Sequence, residues 1–235
     1  MNDLLSFHNN AEIKQEYLNR VKAHQAADEI IKGVYWENGK GCAVGCTIHG
    51  DNHAAYETEL GIPRIIARLE DKIFEGLDNG EAKNFPLEFL EVIPVGVNLN
   101  NVWKKFFVWL LINKSDGVLR HVKTDSGREI IIRVAQLMER SQWEVVPVKE
   151  WQELRSAADA AADAAAAAAD AADAADAAAA ADADAAAYAA ADAADADAAA
   201  AARSARPQHY LKMKNKLLEL LHNAAYVNPP FTFKP

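Results

Sequence analysis

Between positions 157 and 202 the chain uses only alanine, aspartate and Tyr188. Such a stretch cannot build a core, because alanine removes little apolar surface from water and aspartate resists burial. It can build a helix, since alanine has the best helix propensity and aspartate is only about half a kcal/mol worse per residue. Wound as a helix, Asp159, Asp163, Asp170, Asp173, Asp184, Asp192 and Asp195 share one arc of about 100°, and Asp176, Asp182 and Asp197 fall outside it. The tract predicts a rod of roughly 70 Å with an acidic stripe and a smooth alanine face. The plainer reading is a low-complexity spacer.

The tract divides the rest of the chain. Residues 1–156 form a body long enough for one core, and residues 203–235 form a short basic piece. The formal charge of −9 separates into −4 for the body, −10 for the tract and +5 for the terminal piece. The low pI therefore belongs to the tract. The body has no basic excess, so no nucleic-acid partner is expected. Its most apolar run, 102–112, is interrupted by Lys104 and Lys105 and is too short for a bilayer. The opening Met1-Asn2-Asp3-Leu4-Leu5 has no signal-peptide pattern. Two cysteines in such a setting read as reduced thiols or ligands, which points to a cytoplasmic protein without a membrane.

Apolar spacing in the body is helical. Asn10 caps a helix over 11–23, and 26–31 reads as a short second turn ended by Gly33. Asp51 or Asn52 caps a helix through Leu60, and Pro63 restarts another that carries Ile65, Ile66, Leu69, Ile73 and Phe74 to a stop at Gly76. Pro86 to Ile93 reads as a short amphipathic helix. Val102 to Asn113 is apolar nearly all round and so reads as buried. Ser126 to Arg140 supplies one more helix. Ile130-Ile131-Ile132 and Trp143 to Val148 are the only strand-like fragments, and no sheet is needed. Pro207 to His222 is a basic amphipathic helix that could fold back along the acidic rod through Leu211, Leu217, Leu218 and Leu221. The fold class expected is all-α: a compact multi-helix body, a long Ala/Asp helix and a short basic C-terminal helix.

The reactive chemistry sits in one block, Trp36 to His53. Both cysteines and two of the seven histidines lie within the twelve residues from Cys42 to His53. Cys42, Cys46, His49, His53 and Glu57 recur at steps of four, three, four and four, one seam if the helix were continuous. Gly45 and Gly50 argue for a break, so a loop could gather some of them. Three readings follow. In the first, Cys42, Cys46, His49 and His53 hold a metal such as zinc or line a ligand pocket with Trp36, Glu37, Asn38 and Lys40. Only Thr47 and Ile48 separate the Cys pair from the His pair, so Glu57, His24, His121 or a second chain would have to complete such a site.

In the second reading Cys42 or Cys46 is a nucleophile. Gly39-Lys40-Gly41 places Cys42 at a helix start, where free amides and Lys40 would favour the thiolate. His49 or His53 would be the base, with Glu57, Glu37 or Asp51 orienting it. In the third, both thiols are small buried hydrophobes, and the Ala/Asp tract does the work as an oligomerising or structural element. Gly39-Lys40-Gly41 is not a phosphate loop, lacking the first glycine and the following Ser or Thr.

Tyr35 through Thr47, with His53, Tyr56 through Pro63 and Ala67 through Leu77, resembles an uncharacterised family of phage and bacterial proteins. Some of its members carry an Ala-rich C-terminal extension. The resemblance spans roughly residues 7–112. It implies a phage or bacterial accessory role and supplies no catalytic residue. The function expected is an accessory binding protein with a metal or small-molecule pocket at the Cys/His block, acting as a homo-oligomer or with a protein partner. A thiol hydrolase or transferase and a structural protein are the alternatives.

Overall fold

A computed structural model describes residues 4–122, 125–161 and 206–227. The described chain is mostly helical with a single two-stranded hairpin, so the all-α expectation holds. No described helix is long and apolar enough to cross a membrane. The chain forms two compact units, one from residues 1–102 and 214–235, the other from 103–213.

In the first unit Asn10 caps α1 (Ala11–Ala26) by accepting from the Glu12 amide at 2.8 Å. Tyr17, Leu18 and Val21 form its buried face. The hairpin strands β1 (Trp36–Glu37) and β2 (Lys40–Gly41) lead into α2 (Ala43–Ile48), then α3 (Ala55–Leu60), α4 (Arg64–Gly76) and α5 (Asn79–Val92). Helices α1, α2, α4 and α5 pack on one another around Phe74, Phe85, Phe89 and Ile66.

Two expectations need correction here. Residues 26–31 do not make a second helical turn, because Ile30 bridges Gly41 and extends the hairpin. The α5 helix does not wait for Pro86: Asp78 accepts from the Glu81 amide at 2.9 Å and starts it at Asn79. Pro86 is carried inside because Ala82, Phe85, Phe89 and Leu90 are buried on the same helix. Burial of an amphipathic face stabilises a helix more than one missing donor weakens it.

In the second unit α6 (Val102–Ile112), α7 (Asp125–Arg140) and α8 (Val148–Ala161) enclose Phe107, Leu111, Ile131, Val134, Met138 and Leu154. The Ile130-Ile131-Ile132 run is helical, with Ile130 and Ile131 inward and Ile132 39 % exposed. The α8 helix takes in Ala157 to Ala161. The remainder of the Ala/Asp tract, and with it the expected long helix and acidic stripe, lies outside the described residues.

The basic helix α9 (Arg206–His222) has its lysines committed. Within the first unit Lys214 Nζ lies 2.5 Å from Glu81 and 2.7 Å from Glu88, both on α5, and is itself buried. Leu217 and Leu221 are fully buried beside it. Within the second unit Lys212 pairs with Asp116 at 2.6 Å. The short α10 (Ala224–Val227) follows.

Candidate functional site

The Cys/His block folds as a hairpin followed by a buried helix. Trp36 pairs with Gly41 and Glu37 with Lys40. The two residues between them, Asn38 and Gly39, have φ of 51° and 82°, as a tight hairpin turn requires. The Gly41 amide donates to the Glu29 carbonyl at 3.1 Å, and the Ile31 amide donates to the Gly41 carbonyl at 2.8 Å. Cys42 then caps α2, its sulfur accepting from the Gly45 amide at 3.5 Å. Gly41 and Gly45 are glycine for one reason: the Tyr35 backbone lies against both, and a Cβ at either position would overlap its carbonyl.

The two thiols are sealed by this packing. Cys42 is 1 % exposed and Cys46 0 %. Cys46 Sγ donates to the Gly41 carbonyl at 3.3 Å and more weakly to the Glu29 carbonyl at 3.7 Å. Burial pushes the Cys46 thiol up to about 12, with the Glu29 charge adding to it against the pull of the Gly41 backbone. Burial raises the Cys42 thiol further, and the neighbouring Asp71 charge acts the same way. Neither sulfur is a thiolate at neutral pH, and the thiolate is the reactive form. Iodoacetamide between about pH 7 and 9 is therefore expected to leave both thiols unlabelled in the folded protein and to label both after unfolding in guanidinium. Fast labelling of one thiol in the native state would restore the nucleophile reading.

The imidazoles go to different places. His49 ends α2 in the left-handed region, at φ 53°. Its ring stacks on Trp36 with centroids 4.4 Å apart, and its Nε2 lies 2.9 Å from His24 Nε2. Burial, then the Arg20 charge, then His24 hold His49 below the usual imidazole range. His53 is buried, with Nε2 3.2 Å from Asp71 Oδ2 and its ring edge-on to Tyr35. Among the described residues no three of Cys42, Cys46, His49 and His53 bring their donor atoms within 4.8 Å of one another. Glu57 lies elsewhere: Oε1 accepts from the Arg64 amide at 2.9 Å and so serves the start of α4. Glu37, Asn38 and Lys40 are exposed on the hairpin, and Trp36 is half-buried beneath His49. His121 belongs to the second unit, beside Arg120.

What the fold gathers is Cys42 with two carboxylates of α4. Asp71 and Glu75 are one helical turn apart and therefore share a face. Their oxygens and the Cys42 sulfur all lie within 4.8 Å of one another. Together with Gly33, Val34 and Tyr35 they line a cavity of about 220 Å³. Asp71 Oδ2 accepts from the Tyr35 hydroxyl at 3.1 Å and lies against His53. Glu75 accepts from the Gly33 amide, at 3.0 Å to Oε1 and 3.2 Å to Oε2. Burial raises the Glu75 carboxyl despite that amide, and the Asp71 charge adds to the rise. Lys32, whose charge opposes it, donates through Nζ to the Leu77 carbonyl.

Sequence reasoning placed Cys42 in the site and missed Asp71 and Glu75. Their signal is present but faint: two acids at i and i+4 on a helix whose buried positions are mostly apolar. No protein-family model, no curated protein and no solved structure matches this chain.

Proposed function

We propose that the protein binds a divalent metal ion between Cys42 Sγ, Asp71 and Glu75, and that zinc is the metal this set suits. The observation that carries the reading is the convergence of one sulfur and two carboxylates, from two elements, on one cavity. Burial first and the neighbouring Asp71 charge second raise both the Cys42 thiol and the Glu75 carboxyl, so negative charge is disfavoured here without a counter-ion. A dication reverses that balance, since a bound metal deprotonates a coordinating thiol outright. Mixed S and O donors are ordinary for Zn²⁺, and three protein ligands leave a fourth position for water or a small ligand. That position would face the cavity. His53 and Tyr35, both on Asp71 Oδ2, would hold the carboxylate in orientation.

The thiol-enzyme reading receives less support. His49 is engaged with Trp36 and His24, and His53 with Asp71, so neither imidazole is spent on a sulfur. The structural reading rests on the Ala/Asp tract, outside the described residues. The setting proposed with metal binding is a phage or bacterial cytoplasm, where Cys42 stays reduced. A second copy or a protein partner would engage other surfaces.

Cobalt titration tests the reading. The wild-type protein is expected to develop a sulfur-to-cobalt charge-transfer band, and zinc should erase it by competition. Cys42→Ser should remove the band and weaken zinc binding by about tenfold or more, in the range of a lost ligand or its support. Affinity should rise with pH, because Cys42 and Glu75, both raised, must give up protons to bind. Wild-type protein that shows no band, or Cys42→Ser binding as the parent does, would sink the proposal.

A further inference from the structure

A second cluster in the first unit stands apart from the Cys42 cavity. It is built from His24 in the last turn of α1, Glu29 in the following loop, Trp36 on β1 and His49 at the end of α2. His24 Nε2 and His49 Nε2 point at each other, 2.9 Å apart. On the far side of the His24 ring, Nδ1 lies 2.7 Å from Glu29 Oε2. The His49 ring is clamped on Trp36 at an interplanar angle of 16°, and the His24 ring meets both edge-on, at 5.3 Å from Trp36 and 5.1 Å from His49.

A carboxylate on Nδ1 fixes the tautomer of His24. Nδ1 carries the proton and donates it to Glu29, so the Nε2 lone pair faces His49. This carboxylate–imidazole arrangement is how proteins prepare a histidine for a metal. His49 is the exposed member, so its Nε2 is reached from solvent. Its left-handed backbone, uncommon for a non-glycine residue, sets the ring in this position.

We propose that His24 and His49 form a bis-imidazole site for a divalent transition metal with tetragonal preference, Cu²⁺ or Ni²⁺, with Glu29 as the orienting carboxylate. The spacing selects the metal. Two nitrogens 2.9 Å apart, each about 2.0 Å from an ion, subtend about 90° at it. That is the cis angle of a square-planar or octahedral centre, the geometry of Cu²⁺ and Ni²⁺. A tetrahedral zinc site would need the nitrogens roughly 3.3 Å apart. In the metal-free protein the two nitrogens share a hydrogen bond; metal binding releases that proton, and both rings turn so that their lone pairs meet at an ion off the line between them. Glu29 and Glu59 are the charges near the pair that favour a cation, and Arg20 is the one that opposes it. Arg20 is itself held by the Thr47 carbonyl, to which it donates at 2.8 Å, and by its pair with Glu16. Nothing in this site depends on Cys42, Asp71 or Glu75.

The test is titration of the full chain with Cu²⁺ or Ni²⁺, followed by calorimetry and by tryptophan fluorescence. Copper at His49 lies against Trp36 and should quench it. In the Cys42→Ser background, which removes the other proposed metal site, His24→Gln and His49→Asn should each abolish the binding; asparagine tolerates the left-handed backbone and so preserves the end of α2. Glu29→Gln should weaken it by about 10–100-fold. Trp36→Phe should keep the calorimetric signal and lose the matching part of the quench. Reading these variants in the Cys42→Ser background, where the proposed zinc site is absent, keeps this result separate from the fate of the zinc reading. Parent protein without copper or nickel binding, or unchanged binding in His49→Asn with native circular dichroism, would overturn the assignment.

Discussion

Replacing Gly45 with alanine is expected to unfold the first unit. Gly45 sits in α2, a helix buried from Ala43 to Thr47, and its Cα faces the Tyr35 carbonyl with no room for a methyl group. Relief would require one backbone to move from another, and neither is free to do so. The Cys42 amide donates to the Val34 carbonyl at 2.8 Å and to the Tyr35 carbonyl at 3.3 Å, which holds the strand against the helix. On the other side α2 packs on α1, α4 and α5. Overpacking in a closed core costs about 1–3 kcal/mol when side chains can adjust. Here the obstruction is main chain, so a loss above about 4 kcal/mol is expected. The control is Gly39→Ala on the same hairpin, where a Cβ meets nothing within 4 Å and only the positive φ of 82° is strained. That variant should cost about 1 kcal/mol. Urea denaturation of the two variants measures the difference, and equal small losses would mean that the Tyr35 segment swings aside.

Gly41 and Gly45 mark the boundary between what was legible in the sequence and what was not. Helices α1, α4, α6 and α7 announce themselves through apolar spacing and caps, and the all-α class follows from local pattern alone. The Asn38-Gly39 turn was equally present as a hairpin signal, yet its strands are two residues each, too short to show alternation. Glycines around Cys42 suggest a loop that exposes chemistry. In the fold Gly41 and Gly45 instead let two backbones touch, which buries that chemistry.

The site partners were hidden for a different reason. Asp71 and Glu75 read as the solvated side of α4, and only the approach of Cys42 and the 33–35 segment buries Asp71 and sets Glu75 at the mouth of a cavity. His24 and His49 are 25 positions apart, and their pairing depends on how the end of α1 meets the end of α2. Chemistry that depends on contacts between distant segments leaves no spacing to read.

Glu70→Gln is expected to make the protein more stable than the parent as pH rises above the usual glutamate range, and no more stable below it. Glu70 is fully buried on α4 and accepts from the buried Tyr56 hydroxyl at 2.8 Å, while its Oε1 has no hydrogen-bond partner. Burial raises its carboxyl well above the usual range, with the Asp71 charge adding and the Tyr56 hydroxyl opposing. Folding therefore favours the neutral acid at Glu70, whereas in the unfolded chain it ionises near pH 4.3. A raised pKa contributes stability that is whole below the unfolded value and is lost as pH rises toward the folded one. Over that window the unfolded state binds fewer protons, so stability falls by about 1.4 kcal/mol per pH unit. Glutamine has the shape of the protonated acid, keeps an oxygen for Tyr56 and never ionises, so the slope disappears. The gain should therefore grow as pH rises above about 4.3, and at pH 4 the two proteins should unfold at the same urea concentration. Other titrating groups are common to both chains and cancel in the difference. A variant that is less stable than the parent both within the usual glutamate range and above it would mean that Glu70 is held as a carboxylate.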